Sequence, residues 1–215
     1  MSRTAWLGAV YRWGVLVLAS VVWMRCFGEA RMAEFGWQFR LLEVWAVSAT
    51  ALSTAFMVRL SMGWSRSPHT PFVGAVAAVN VVVVALHLGQ LSPAPATSPG
   101  WHALSLLLVL PLLQIADALF VLGAFKRLRR AMAWVVAIAA TYVAWVEMAV
   151  RPLNASSEGR GGLPYPILDT MPLADRLGFY VAMTGLALAV LPGLRVVQRR
   201  LRGERGGTSG DGIAA

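Results

Sequence analysis

Five ionisable side chains sit inside or at the ends of long apolar stretches: Arg40, Glu43, His87, His102 and Glu147. Ionisable groups are costly in hydrocarbon and rare there, so each marks a candidate site. A guanidinium such as Arg40 suits the carboxylate or phosphate of an amphipathic ligand. An imidazole can accept a proton from a hydroxyl, which makes His102 with Ser105 three residues on, or with Thr50, a weak candidate base and nucleophile. His87 and His102 are also the pair that an axial haem ligation would need, but no attachment motif accompanies them and no cofactor is expected. Each residue has a structural reading too. Arg40 can pair with Glu43, and Glu147 with Arg151 at the favourable i,i+4 spacing. Asp117 has Lys126 and Arg127 nearby in sequence as partners.

The elements that must position these groups are read from composition. The chain has 215 residues, of which 58% are hydrophobic and only 13% charged, too apolar for a soluble domain of this size. It reads as an all-α polytopic membrane protein, a bundle of six spans at about 6–27, 39–58, 71–89, 102–124, 131–150 and 177–197. The first span holds Arg12, which must snorkel for the helix to cross. Residues 201–215 read as a disordered tail. The net charge of +9 is clustered at Lys126–Arg130 and from Arg195 to Arg205, each group flanking an apolar run. That pattern points to anchoring against acidic lipid, with membrane lipids as partners and no nucleic acid. One cysteine, Cys26, excludes an internal disulfide.

Orientation follows from the same residues. Arg59 and Arg66, the Lys126–Arg130 group and the last arginines occupy alternate connections, while "GQLSPAPATSPG" has no charge. By the positive-inside rule the bundle is N-in and C-in, in the cell membrane. Arg40, Glu43, His87, His102 and Glu147 then converge at the outer end from four spans. Above them lies "LPYPILDTMPLADR" at 163–176, whose prolines favour an ordered lid or re-entrant segment. Its Asp169, Asp175 and Arg176 either complete that polar pocket or pair with one another and with Arg151. Gly185, Ala189 and Gly193, and likewise Ala133, Ala137 and Thr141, repeat every four residues, the pattern that lets membrane helices approach closely. Pro111 and Pro192 should loosen their helices.

The stretch Tyr165, Pro166, Leu168, Asp169, Arg176, Phe179, Tyr180 resembles a hallmark of the androgen-induced protein family. So do "WQF" at 37–39, "PGW" at 99–101 with "VLP" at 109–111, and "TYVAWV" at 141–146. The family includes animal hydrolases of fatty-acid esters of hydroxy fatty acids. The resemblance implies a six-helix membrane fold and, for those enzymes, a threonine nucleophile with a histidine base. At the matching positions this chain has Leu41 for the threonine and Leu106 or Leu107 for the histidine. Neither can transfer a proton. The expectation is therefore a lipid-facing protein binding an amphipathic lipid or fatty-acid-like ligand through Arg40, Glu43, His87, His102, Glu147, Asp169 and Arg176. The alternatives are an intramembrane esterase using His102 with a displaced hydroxyl, and a small transporter.

Overall fold

The computed structural model describes residues 3–28, 70–89, 101–122, 124–152 and 170–206, together with Leu52, Ala55 and Leu168. Arg40, Glu43, Thr50 and Asp169, and nearly all of the expected second span, lie outside the described residues. The described chain is helical, without strands. α1 is Arg3–Gly28 and α2 is Thr70–Leu88. α3 covers 101–122 in four successive pieces, Trp101–Leu104, Ser105–Val109, Leu110–Ala116 and Asp117–Leu122. α4 opens as Leu128–Trp145 and continues through Val146–Val150. α5 is Leu173–Gly206.

α2 is the centre. Its sequence is apolar all round, with alanines and valines at nearly every position, and such a helix has no polar face to show to water. Val73 through Asn80 are all buried. α3, α4 and α5 pack around it, sharing a core of Val73, Val82, Leu86, Ala118, Phe125, Val135, Ala187 and Leu191. Gly74 makes this closeness feasible. A Cβ there would stand 3.0 Å from the carbonyl oxygen of Ala124 and 3.3 Å from the Phe125 ring. α1 docks at the side, setting Val15, Ala19 and Val22 against Leu110 and Leu113.

α3 changes pitch twice, widening to π-helical turns at Ser105–Val109 and Asp117–Leu122. The first lies immediately before Pro111. A proline inside a helix lacks the N–H and crowds the carbonyl four residues back. Here the Leu110 N–H reaches Ser105, five residues back, and the widened turn accommodates the ring.

Among the described residues two helical segments are long and apolar enough to cross a membrane, Leu128–Ala149 and Leu173–Leu201. Shorter apolar segments run through Trp6–Val22, Thr70–Leu86 and Leu110–Leu119. The two long segments are buried over only 22% and 17% of their most apolar windows, whereas the core helix of a soluble protein would be mostly covered. Their outward faces carry Trp134, Val136, Trp145, Met148, Leu177, Val181 and Leu186. Large apolar side chains spread over an exposed helix face point to membrane association.

Three expectations are corrected. Among the described residues the small-residue stripes are not the contact faces. Gly185, Ala189, Gly193, Ala133, Ala137 and Thr141 are all exposed, and an added Cβ at Gly185 or Gly193 would meet nothing. The inward faces carry Ala131, Val135 and Tyr142 on α4 and Tyr180, Ala187 and Leu191 on α5, half a turn away. Arg12 does not snorkel; it is 8% exposed. Helix α5 continues past Leu201 to Gly206, where the sequence places the start of a disordered tail.

Candidate functional site

Glu147 sits in the π-helical end of α4, where the Arg151 N–H reaches back five residues to Val146. Arg176 lies in the first turn of α5. That helix begins at Pro172, whose carbonyl accepts the N–H groups of Asp175 and Arg176 at 3.1 Å. α4 and α5 are antiparallel, so the end of one meets the start of the other. Arg176 grips Glu147 with a two-pronged fork, Nε to Oε1 at 2.9 Å and Nη2 to Oε2 at 3.0 Å. Its third nitrogen, Nη1, donates to the Met171 carbonyl at 2.6 Å. The Tyr180 hydroxyl donates to Glu147 Oε1 at 3.2 Å, and Arg151 stands 3.6 Å from Oε2. Tyr142, Val146 and Leu168 bury the cluster, with Tyr142 edge-on to Tyr180 at 6.4 Å between ring centres.

This arrangement determines what the groups can do. The Glu147 carboxylate accepts three hydrogen bonds, and three Arg176 nitrogens donate. A carboxylate held that way is occupied by its own protein partners. Arg176 is likewise committed to Glu147 and to a backbone carbonyl. The cluster is a clamp that fixes the meeting point of α4 and α5.

Directly beneath it is an apolar cavity of about 60 Å³ among α2, α4 and α5. Val79, Ile138, Ala139, Val143, Phe179 and Met183 line it, with Tyr142 and Tyr180 at the clamp side. Thr184 also borders it, but its hydroxyl donates to the Tyr180 carbonyl, one turn back. The space is hydrocarbon-lined, suited to methylene or methyl groups and not to a hydrated ion.

Of the seven ligand-binding residues read from sequence, the structure brings Glu147 and Arg176 together. His87 and His102 are placed by their backbones. Gly74 of α2 lies against Ala124 and Phe125, Phe72 meets Trp134 of α4 at 5.1 Å, and Val79 and Val82 share a cavity wall with Ile138 and Val143, so α2 runs parallel to α4. His87, in the last turn of α2, is therefore level with the Glu147 end. His102 is in the first turn of α3, at that same end. Ser105 begins the first π-helical turn and is half-buried. Arg40, Glu43, Thr50 and Asp169 lie outside the described residues. Sequence reasoning missed Tyr142 and Tyr180 as parts of the cluster. The signal was present, since Tyr180 follows Arg176 by one helical turn and Tyr142 precedes Val146 by one.

The opposite end holds a second pair. Asp117 Oδ1 takes Arg12 Nε at 3.3 Å, and Tyr11 donates its hydroxyl to the Leu113 carbonyl at 2.7 Å. The sequence places Asp117 against Lys126 and Arg127. Those two are exposed beyond the end of α3, while α1 brings Arg12 alongside the buried carboxylate. Gln198 of α5 is buried nearby and donates to the Ala118 and Leu119 carbonyls at 3.1 and 3.2 Å. Among the described residues no three of His, Cys, Asp and Glu gather to hold a metal ion.

Comparison with protein-family models, with curated proteins and with solved structures finds no match to this chain.

Proposed function

We propose that the chain is a six-span, N-in and C-in membrane bundle that holds an amphipathic lipid or fatty-acid-like molecule at its Glu147 end. The resemblance to the androgen-induced protein family enters as a fold, without the family's threonine hydrolysis. The observation that carries the proposal is the apolar cavity lying directly under a buried polar clamp. An acyl chain would occupy the cavity between α2, α4 and α5. Its polar end would face the level where His87 and His102 begin or end their helices. Arg40, Glu43 and Asp169 are assigned to the headgroup in this proposal, with Arg40 as its anionic anchor. Glu147 and Arg176 keep a structural part, holding Tyr180 and Tyr142 over the mouth of the cavity.

The test fills the cavity. Ala139→Leu should remove lipid retained through purification, measured by mass spectrometry of the extracted protein, with helix content unchanged. Arg40→Ala should weaken retention of anionic species selectively. Retained lipid at wild-type level in Ala139→Leu would sink the cavity assignment. An esterase reading has one observation in its favour, the half-buried Ser105 on a π-helical turn near His102 in sequence. π-Helical turns recur at functional sites. Labelling by a fluorophosphonate probe that disappears in Ser105→Ala and His102→Ala is its signature.

A further inference from the structure

The two basic clusters are about seventy residues apart in sequence, and the fold sets them at one level. α4 and α5 are antiparallel, in a register that opposes Glu147 to Arg176 and Tyr142 to Tyr180. Continuing that register to the start of α4 brings Arg195 level with Leu128. The packing agrees, because Leu128, Ala131, Leu191 and Leu194 share one core. Gln198, buried between Arg195 and Arg199, fastens α5 to the last turns of α3.

Around this fixed point Lys126, Arg127, Arg129, Arg130, Arg199 and Arg200 are exposed, and Arg195 is half-buried. Of the carboxylates at this end, Asp117 is buried against Arg12, and Glu204 lies in the last turns of α5 between Arg202 and Arg205 in sequence. The patch is thus strongly cationic and ringed by the apolar outer faces of α4 and α5, where Val196 and Val197 are also exposed.

We propose that this end of the bundle is a binding site for the anionic headgroup of a phospholipid. The proposal rests on the membrane reading above. It is independent of the cavity, which lies toward the other end of α4. Charge complementarity selects the phosphate, and the adjoining apolar faces select a lipid over a soluble polyanion. Helix geometry supplies the placement. Leu173–Leu201 spans 29 residues, about 44 Å of helix against a hydrocarbon core of about 30 Å, so its basic end stands at headgroup level. A basic segment merely anchored by its charge would act locally; here the packing of Leu128 and Ala131 on Leu191 and Leu194 holds the two segments in one surface, with Gln198 tying α5 to the adjoining end of α3.

The experiment uses the full chain purified in a neutral detergent. Thermal unfolding is followed by tryptophan fluorescence while phosphatidylglycerol or phosphatidylcholine is titrated into the micelles. Phosphatidylglycerol should stabilise at a concentration on the order of tenfold lower than phosphatidylcholine, with the preference shrinking at high salt. The triple variant Arg127→Gln, Arg199→Gln, Arg200→Gln should lose the preference, while Arg25→Gln, on another helix, should keep it. Should the triple variant fail to fold, Gln198→Leu with all cations retained offers a second route. It should weaken the preference by loosening the two clusters from each other. Equal stabilisation by both lipids, or a preference untouched in the triple variant, overturns the site. Equal protection by a short RNA points to non-selective polyanion binding and overturns it as well. Membranes washed with alkaline carbonate separate the two readings. Release of the chain overturns the membrane reading and the lipid site together, whereas retention with equal stabilisation overturns the lipid site alone.

Discussion

The two ends of the helix cluster each bury an arginine against a carboxylate, and they do it differently. At one end Arg176 and Glu147 meet through a fork of 2.9 and 3.0 Å, backed by Tyr180 and by a backbone carbonyl. At the other, Arg12 reaches Asp117 through Nε at 3.3 Å. The first pair joins α4 to α5. The second joins α1 to α3, whose mutual packing is limited to a small cluster around Leu110. The fork fixes both orientation and distance, and the Arg12 Nε contact to Asp117 is longer than either of its prongs. The Glu147 end, with its fork, Tyr180 and the Met171 carbonyl, is therefore the more rigid of these two pairings.

Breaking the fork should have the largest effect. Glu147→Gln removes the anion that the buried Arg176 guanidinium grips, and losing one partner of a buried pair costs about 3–5 kcal/mol. Thermal unfolding in detergent should show a drop of many degrees. Replacing both residues, Glu147→Leu with Arg176→Met, should recover much of it, because two apolar side chains leave no stranded charge. No recovery in the double variant would mean that the fork carries more than a balanced pair of charges.

The same change at the other end should cost less. Asp117→Asn removes the anion facing Arg12, but Arg12 stands only a few turns from the start of α1. Once released, its long stem lets the guanidinium move toward the interface. A loss of about 1–2 kcal/mol is expected, with increased proteolysis confined to α1. A loss as large as that of Glu147→Gln would erase the contrast between the ends.

How much of this could be read beforehand depends on what kind of information each feature needs. The helices follow from apolar run length. The third stretch, read as 71–89, is Thr70–Leu88, and the fourth, read as 102–124, occupies 101–122. Glu147 and Arg176 stood out singly, because charge next to an apolar run is conspicuous. Their pairing did not, since periodicity within a helix says nothing about its axial register against a neighbour. For the same reason Asp117 looked closest to Lys126 and Arg127 when its partner was 105 residues away. The small-residue stripes misled by another route. A four-residue repeat marks a smooth face, but the inward face here is set by Ala131, Val135, Ala187 and Leu191 packing on the central α2.

Within the rigid end, the contributions can be ranked by burial. Tyr180→Phe keeps the ring that packs on Tyr142 and Phe179 and removes one bond to Glu147. At 3.2 Å that bond is longer than either prong of the fork, and its loss should cost about 1 kcal/mol. At the other end of the bundle, Gly74→Ala tests packing by adding a group instead of removing one. Its new methyl would press on the Ala124 carbonyl, which belongs to backbone and cannot swing aside, so about 1–3 kcal/mol is expected.

Arg151→Gln should do least. Arg151 faces the same carboxylate as Arg176, yet its side chain is 42% exposed where that of Arg176 is 3% exposed. At 3.6 Å it makes a charge contact without a hydrogen bond, and Glu147 stays fully matched by the fork after its removal. Exposed pairs of this type contribute about 0–1 kcal/mol. Unfolding temperature should move by no more than a degree or two, and any shift should vanish in high salt. A shift rivalling that of Tyr180→Phe would show that the Glu147 carboxylate depends on two arginines. The rigidity of that end would then come from its total charge instead of the geometry of one fork.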